Sequence, residues 1–362
     1  MHKFCVVSGF LGAGKTTGMM AMTRLYNEKY GKAAMISNDI AAKGLADMQY
    51  ANACGVVSTE LTGECICYQT ENLVDRLRRL MDYEKNEFVM SDHPGFGVGA
   101  LSHVYHKLAA EYPGEFELAP FVVFTEPERL RLLTEPEAEL HLPEELRYVL
   151  RTQLLECDVA VLNKIDTLSE AETQRYVDFL RTEAPHAAVF AVSAREGTGL
   201  DALVAYLREH EASMRDPDIQ YGGEAFAAAM STISQYDIQF YTKVCCNTFD
   251  GDAYLSALGE KVRELLRLNG RNTPHLKLFA VTGNGDFAKQ DLLGIDYPLE
   301  VAHRFSSPVS DMSVVINTSS VCEEQLLGEI IDTAIAMTSQ AFQCETSVYY
   351  RECFGAMAAG RL

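Results

Sequence analysis

The residues with the clearest chemistry form the run Gly9–Thr17, which reads G-F-L-G-A-G-K-T-T. This run fits the pattern G-x-x-x-x-G-K-[S/T] at each fixed position. It follows the apolar run Phe4–Val7 and precedes a helix-compatible segment that starts at Thr16. Glycines let such a loop point its backbone N–H groups at phosphate oxygens, and the next helix adds its positive dipole. The run is therefore predicted to be a phosphate-binding loop.

The loop residues differ in their expected tasks. Lys15 is expected to reach the β- and γ-phosphates of a nucleotide, and the Thr16 hydroxyl to coordinate Mg²⁺. The residues predicted to bind the nucleotide here are Gly12, Ala13, Gly14, Lys15, Thr16 and Thr17. The alternative is a glycine-rich turn that binds nothing, and the order of strand, loop and helix disfavours it.

A second motif predicts which base is bound. Asn163-Lys164-Ile165-Asp166 directly follows the apolar run Val159–Leu162 and has the form N-K-x-D. The Asp166 carboxylate can accept hydrogen bonds from N1–H and the exocyclic amine of guanine, which adenine does not offer, while Asn163 and Lys164 brace the pocket. The motif favours GTP as the ligand.

Ser193 and Ala194 follow the next predicted strand, within Val192-Ser193-Ala194. This stretch resembles the second guanine-contacting loop of GTPases, in which a backbone N–H near Ala194 would meet the base oxygen. An ordinary exit from a strand into a loop is the alternative reading.

A third motif, Asp92-His93-Pro94-Gly95, follows the strand-like run Phe88–Ser91 and has the form D-x-x-G. Its aspartate is expected to hold Mg²⁺ and its glycine N–H to meet the γ-phosphate, so Lys15, Asp92 and Gly95 are the predicted catalytic residues. His93 either positions the attacking water or is a bystander. A Pro-Gly turn without a chemical role is the alternative.

These motifs need a scaffold, and the first half of the chain predicts an α/β fold. Apolar runs alternate with helical patterns, which is typical of a parallel sheet covered on both faces, the three-layer arrangement of P-loop NTPases. The predicted strands are 4–8, 33–37, 88–91, 121–125, 159–162 and 189–192, and the predicted helices are 16–30, 71–83, 100–111, 143–156, 170–183 and 200–211.

The order of elements changes after residues 214–224, which read as a linker rich in Asp, Pro and Gly. The predicted division is therefore a nucleotide-binding domain at 1–213, the linker at 214–224 and a smaller α+β domain at 225–362. In the second domain two helices are expected to cover one face of an antiparallel sheet. Strands are predicted at 238–246, 275–281, 299–304 and 312–317, with a further strand from 345, and helices at 252–268 and 323–340.

Composition narrows the class of partner. The net charge of −20 argues against nucleic acid and against an anionic membrane surface. The ten cysteines are scattered, and no apolar run approaches the ~20 residues that span a bilayer. The apolar run Phe4–Val7 is too short for the apolar region of a signal peptide, and cleavage after it would destroy the phosphate-binding loop, so no signal peptide is expected. The expected location is the cytoplasm.

Three stretches, Gly9–Thr17, Glu60–Cys67 and Asn163–Asp166, together resemble the CobW family of GTPases, which is related to HypB and UreG. The resemblance covers the first part of the chain, and the smaller second domain is in keeping with the CobW C-terminal domain. It implies a GTP-hydrolysing metallochaperone that delivers zinc, cobalt or another ion, or that supports cobalamin or metalloenzyme maturation. The implied partner is a client metalloenzyme or a corrinoid protein.

The sequence departs from the family at its metal motif, Gly-Cys-x-Cys-Cys. Here Glu64 separates Gly63 from the first cysteine, and Tyr68 stands in place of the last. Cys65 and Cys67 remain as candidate ligands for Zn²⁺ or Co²⁺. A tetrahedral site takes about four donors. The rest could come from Cys54, from Glu60 or from a second subunit, which makes a homodimer one expected assembly.

Three functions stay open at this point. The first is a Mg²⁺-dependent GTPase that handles a metal or metallocofactor, with the cysteines placed between segments that move on hydrolysis. The second is a GTPase that acts on a corrinoid protein or another metalloprotein without binding a metal itself, with Cys65 and Cys67 as packed thiols. The third is a small-molecule kinase, which the guanine motif disfavours.

Overall fold

The structure is a computed structural model that describes residues 2–40, 46–135, 142–217, 219, 221–244 and 247–356. Its N-terminal sheet has the strand order β3-β2-β4-β1-β6-β7-β8, with β5 pairing to β1, and every pairing is parallel. Its strands are β1 Lys3–Gly9, β2 Ala33–Asp39, β3 Ser58–Thr62, β4 Phe88–Asp92, β5 Glu117–Leu118, β6 Val122–Thr125, β7 Val159–Leu162 and β8 Ala188–Ala191.

Helices connect these strands and form an apolar core on each face of the sheet, as expected for parallel strands buried on both sides. The helices are α1 Lys15–Lys29, α2 Ala46–Ala53, α3 Thr70–Arg78, α4 His106–Glu111, α5 Pro127–Thr134, α6 Leu146–Glu156, α7 Glu170–Glu183 and α8 Leu200–Glu209. Irregular turns extend two of them: a π turn continues α3 to Tyr83, and another precedes α4. The predicted three-layer α/β architecture is confirmed.

A second, antiparallel sheet follows the short helix α9 Gly223–Ser231, in the order β12-β11-β10-β13-β9-β14. Its strands are β9 Ser234–Val244, β10 Asn272–Val281, β11 Phe287–Leu292, β12 Glu300–His303, β13 Asp311–Val321 and β14 Cys344–Gly355. Helices α10 Gly251–Leu268 and α11 Glu324–Ala341 cover one face, which confirms the predicted α+β arrangement. Residues 245 and 246, the end of one predicted strand, lie outside the described residues.

The two faces of this second sheet differ in chemistry. Alternate residues of β10 such as Leu276 and Leu278 pack into the apolar core beneath the two helices. The intervening Lys277 lies on the other face, along a cavity that the N-terminal sheet shares. This alternation follows from the two-residue repeat of a strand.

Two of the strands that sequence patterns missed, β3 and β11, lack an apolar run. Strand β3 is the edge of its sheet and most of its residues are only half-buried. Strand β11 carries three consecutive buried polar residues, Lys289, Gln290 and Asp291, so its sequence does not look like that of a buried strand. None of the described helices combines the length and the apolar character needed to cross a membrane.

Candidate nucleotide-binding and metal site

The phosphate-binding loop joins β1 to α1 and has a backbone that only glycine tolerates at its critical points. Gly9, Gly12 and Gly14 have φ values of +133°, +81° and +85°. A Cβ on Gly9 would lie 2.1 Å from the Phe124 carbonyl oxygen, and one on Gly14 would lie 2.3 Å from Asn163 Nδ2. The loop is therefore held against β6 and against the N-K-x-D segment at distances that exclude side chains.

Lys15 folds back over this loop. Its Nζ donates to the Gly9 carbonyl at 2.7 Å. Desolvation by the surrounding protein lowers the pKa of Lys15, and the neighbouring carboxylate of Asp92 opposes that effect. The ammonium is thus kept beside the loop backbone and an acidic partner, where it can neutralise phosphate charge.

Asp92 ends β4 and faces the same cavity as Lys15. Its side chain is buried, and its Oδ1 atom has no hydrogen-bond partner. Burial raises the pKa of Asp92 to about 7, against the lowering effect of Lys15. A buried carboxylate oxygen without a partner is costly, and oxygen is the ligand type that Mg²⁺ takes. The residues present therefore fit a hard divalent cation near Asp92.

Thr16 has a partner that the sequence motifs did not indicate. Its hydroxyl donates to Asp47 Oδ2 at 2.9 Å, and Asp47 lies on α2. The same carboxylate oxygen accepts from Lys277 Nζ at 2.5 Å, across from the C-terminal sheet. Burial acts to raise the pKa of Asp47, but Lys277 and Lys289 outweigh it and bring the value to about 2. Asp47 is therefore ionised at neutral pH.

Asn163 joins the phosphate-binding loop to the predicted guanine side. Its Nδ2 donates to the Ala13 carbonyl at 2.9 Å, and its Oδ1 accepts from the Ala194 backbone N–H at 3.0 Å. Ser193 is buried, and its hydroxyl accepts from the Glu196 N–H at 3.1 Å. Asn163 thus fixes two segments about which sequence patterns gave separate predictions.

The other N-K-x-D residues remain accessible. Asp166 is exposed and lines the cavity, and its carboxylate forms no hydrogen bond or ion pair within the described part of the chain. Lys164 has a φ of +62°, and its Nζ lies 3.8 Å from Glu126 Oε2. An exposed carboxylate beside the phosphate-binding loop is free to accept hydrogen bonds from a base.

Most of the residues predicted to bind the nucleotide and Mg²⁺ line one cavity of ≈ 410 Å³. Of the predicted nucleotide-binding residues, Ala13 and Ser193 are buried behind its wall. Those that line it are Gly12, Gly14, Lys15, Thr16, Thr17, Asp92, Gly95, Asn163, Lys164, Asp166 and Ala194. The C-terminal sheet supplies another part of the wall, including Asp237, His275, Lys277 and Asn317.

Helix α6 holds the glycine-rich segment after β4. Gln153 Nε2 donates to the carbonyls of Gly95 at 3.2 Å and Gly97 at 3.0 Å. The Glu156 carboxylate accepts from the Gly99 N–H at 3.0 and 2.9 Å. Burial raises the pKa of Glu156 to about 7. The segment expected to rearrange on hydrolysis is thus tied to a helix through two buried side chains.

A cluster of soft donors lies behind the phosphate-binding loop. Cys65, Cys67 and His93 are all buried, and their candidate ligand atoms lie within 4.8 Å of one another. His93 Nε2 lies 3.3 Å from Cys65 Sγ and 3.4 Å from Cys67 Sγ, while Nδ1 lies 3.1 Å from Ser8 Oγ. Two thiols and an imidazole are ligands that Zn²⁺ and related ions accept.

The cluster has local electrostatics that favour one thiolate. Burial acts to raise the pKa of Cys65, but hydrogen bonding to Cys67 and the charge of His93 bring it well below the ordinary value. The pKa of Cys67 rises well above it, because Cys65 and burial both disfavour a second anion. His93 has a raised pKa, since the charge of Cys65 outweighs burial.

Asn38, at the end of β2, holds the cysteine segment in place. Its Nδ2 donates to the carbonyls of Leu61 at 3.0 Å and Glu64 at 2.9 Å, and its Oδ1 accepts from the Ile66 N–H at 2.9 Å. These contacts make Asn38 a brace for the loop that carries the cysteines. Tyr68, which stands in place of the third cysteine of the motif, is 57% exposed and lies outside the buried cluster.

Sequence patterns missed three polar residues of this region. The sequence left two interpretations of His93, positioning of the attacking water or no role. Its contact with Cys65 was not predicted, because the two residues are far apart along the chain. Asp47 and Lys277 belong to no motif. Alternation of apolar and polar residues along β10 is the one signal that places Lys277 opposite the helix-covered face.

The fold and the site define an α/β protein of the P-loop NTPase class with an additional antiparallel sheet. Residues 3–191 match the family described as CobW/HypB/UreG, nucleotide-binding domain. The match covers more than half of the chain, so the chain belongs to this family.

Several solved structures are similar to this chain at low identity. HypB from Helicobacter pylori in complex with nickel is 17% identical, with a TM-score of 0.42 over 57% of this chain and 86% of that one. Zn(II)-bound YjiA GTPase from E. coli is 15% identical, with a TM-score of 0.37 over 93% of this chain and 98% of that one. HypB from Archaeoglobus fulgidus is 16% identical, with a TM-score of 0.39 over 57% and 89%.

Proposed function

We propose that the protein binds and hydrolyses GTP with Mg²⁺ and couples hydrolysis to the handling of a metal ion or metallocofactor for a client enzyme. The observation that carries the first part is the single cavity lined by both Lys15 and Asp166. Lys15 neutralises phosphate charge, Thr16 and Asp92 hold Mg²⁺, Gly95 meets the γ-phosphate and Asp166 selects guanine. Positioning and charge neutralisation then account for most of the catalysis.

The metal proposal rests on the buried cluster of Cys65, Cys67 and His93. His93 supplies a third donor, which the sequence pattern lacks, and a fourth would come from the client, a second copy of the chain or water. Zn²⁺ and Co²⁺ suit this set of two sulfurs and one nitrogen. The carried ion is the cargo of the protein rather than its catalyst.

The position of the cluster supports coupling between metal and nucleotide. His93 directly follows Asp92, and its Nδ1 contacts Ser8, which directly precedes the phosphate-binding loop. A change at either site therefore moves a residue adjacent to the other. Such coupling is reciprocal, so GTP must alter metal affinity by the same factor by which metal alters GTP affinity.

The second candidate is a GTPase that acts on a client without carrying metal. The observation that favours it is the number of donors: the cluster has three within the described residues, while a closed tetrahedral site takes about four. In that case the thiols pack in the N-terminal core, to which both cysteines belong.

The test is a titration with Co²⁺, followed by the absorbance of thiolate ligation, on protein loaded with a non-hydrolysable GTP analogue or with GDP. The metallochaperone proposal expects thiolate bands and an affinity that differs between the two loaded forms. Cys54→Ser is the control variant, because Cys54 lies outside the cluster. Absence of thiolate bands in both forms, with GTP hydrolysis intact, would favour the second candidate.

A further inference from the structure

Two side chains, Arg129 and Asp47, connect strand β10 of the C-terminal sheet to the phosphate-binding loop. The Pro274 carbonyl accepts from Arg129 Nη2 at 2.8 Å, and Arg129 Nε donates to the Leu11 carbonyl at 3.1 Å. Three residues along the strand, Lys277 reaches the carboxylate of Asp47 that also binds Thr16. The contacts involve loop residues on both sides of Lys15, so the strand and the loop are positioned together.

Lys277 is a buried charge inside the cavity. Only 18% of its side chain is exposed, and it lines the same cavity as Lys15 and Asp92. Burial acts to lower the pKa of Lys277, but Asp47 and Asp39 outweigh it, so the side chain stays protonated at neutral pH. A buried ammonium is normally retained where it has an anionic partner.

The connection through Asp47 places Lys277 at the phosphate end of the cavity. One carboxylate oxygen joins Lys277 to Thr16, the direct neighbour of Lys15. Lysine and threonine at these motif positions face the β- and γ-phosphates and Mg²⁺. An ammonium has three N–H donors, and the structure directs one of them to Asp47, so the group can bind a phosphate oxygen without leaving that carboxylate.

We propose that Lys277 recognises the γ-phosphate of GTP, so that the C-terminal sheet adds to the N-terminal motifs a contact that distinguishes GTP from GDP. The inference rests on the proposed function, since it assumes that GTP occupies this cavity. GTP carries a further phosphate group with its negative charge, and Lys277 is a cation placed where GDP has no corresponding group. GTP then draws β10 towards the phosphate-binding loop, while GDP leaves the strand held through Asp47 and Arg129 alone.

The test compares the affinities of a fluorescent GTP analogue and its GDP counterpart, measured with excess Mg²⁺ for wild type and Lys277→Gln. Loss of one charge-assisted hydrogen bond to the γ-phosphate should weaken GTP binding about tenfold or more and leave GDP binding within about twofold. Lys277→Arg keeps the charge and should retain most of the preference. Lys243→Gln is the control, because Lys243 lies on β9 of the same sheet and its side chain is 51% exposed.

Removal of Lys277 takes away the direct cationic partner of buried Asp47, so the fold is checked in a second background. Asp47→Asn and the double variant Asp47→Asn/Lys277→Gln differ only in the lysine and bury no unpaired carboxylate at that position. The ratio of GTP to GDP affinity should again fall about tenfold between them. An unchanged ratio in both backgrounds, with wild type binding GTP, overturns the role of Lys277 and leaves the proposed function standing. If wild type binds neither nucleotide, both proposals fail.

Discussion

The nucleotide cavity has two walls of different origin. The N-terminal wall is formed mainly by short sequence motifs that lie at the carboxyl ends of parallel strands. Lys15 and Asp166 are examples. The C-terminal wall is the polar face of an antiparallel sheet, in which Lys277 and Asp237 come from different strands. The first wall is specified locally and carries recognisable chemistry, whereas the second acquires its chemistry only when strands β9, β10 and β13 align.

The comparison predicts that the N-terminal wall contributes most of the binding. Lys15→Met should reduce affinity for GTP and for GDP by about a hundredfold or more, because the lysine neutralises phosphate charge in a desolvated site. Isothermal titration with each nucleotide measures the effect. A loss confined to GTP would mean that Lys15 and Lys277 have exchanged the roles assigned above.

Asp166→Ala should have the next largest effect on nucleotide affinity, and it should weaken recognition of the guanine base. We expect GTP affinity to drop about tenfold to a hundredfold, since two hydrogen bonds to guanine lose their acceptor, while ATP affinity stays weak and nearly unchanged. Competition of GTP and ATP for a fluorescent nucleotide measures the ratio. Because Asp166 is exposed, the thermal midpoint of the variant should match that of wild type.

His93→Gln sharpens the same comparison at the cluster of Cys65, Cys67 and His93, the metal site proposed above. The variant removes one of three donors and should weaken Co²⁺ binding about tenfold or more, with loss of intensity in the thiolate bands. His103→Gln is the matched control, since its ring Nδ1 lies 3.0 Å from the Gly99 carbonyl and outside the cluster. Equal Co²⁺ affinity in wild type and His93→Gln would remove His93 from the metal site.

Much of the N-terminal wall could be predicted from sequence, because its residues occupy short motifs next to apolar strands. Strand β7 and the segment from Asn163 to Asp166 stand where the pattern predicts them. The contact between His93 and Cys65 could not be predicted, since β4 and the turn at Ile66–Tyr68 meet only through the sheet order β2-β4-β1 and the brace at Asn38.

The C-terminal wall shows why its site residues could not be predicted from the sequence. Lys289 and Asp291 of β11 are buried polar residues in a strand that has no apolar run. They pair with each other at 2.5 Å, and His275 Nε2 lies 3.4 Å from Asp291. Lys289 and Asp291 lie two positions apart on the same strand, whereas His275 comes from the neighbouring strand β10, and no local pattern encodes that third partner.

The last prediction concerns stability rather than binding and tests this buried network. Burial lowers the pKa of His275 from an ordinary value near 6.5 to about 4, with Asp291 opposing and Lys277 assisting. Its contribution to stability is fully present above about pH 6.5 and is lost as pH falls towards 4, because the unfolded chain takes up a proton that native His275 refuses. A shift of this size corresponds to roughly 3 kcal/mol at most.

The measurement is the free energy of unfolding in urea between pH 7 and pH 4.5 for wild type and His275→Gln. Asp92 and Glu156, whose raised pKa values give stability the opposite slope in this range, are present in both proteins and cancel in the difference. Wild type should therefore lose stability relative to the variant as pH falls. His210→Gln changes an exposed histidine and should follow wild type throughout. Parallel curves for wild type and His275→Gln would mean that His275 takes up its proton as readily in the folded protein as in the unfolded chain. The C-terminal wall would then be more open to water than its contacts indicate.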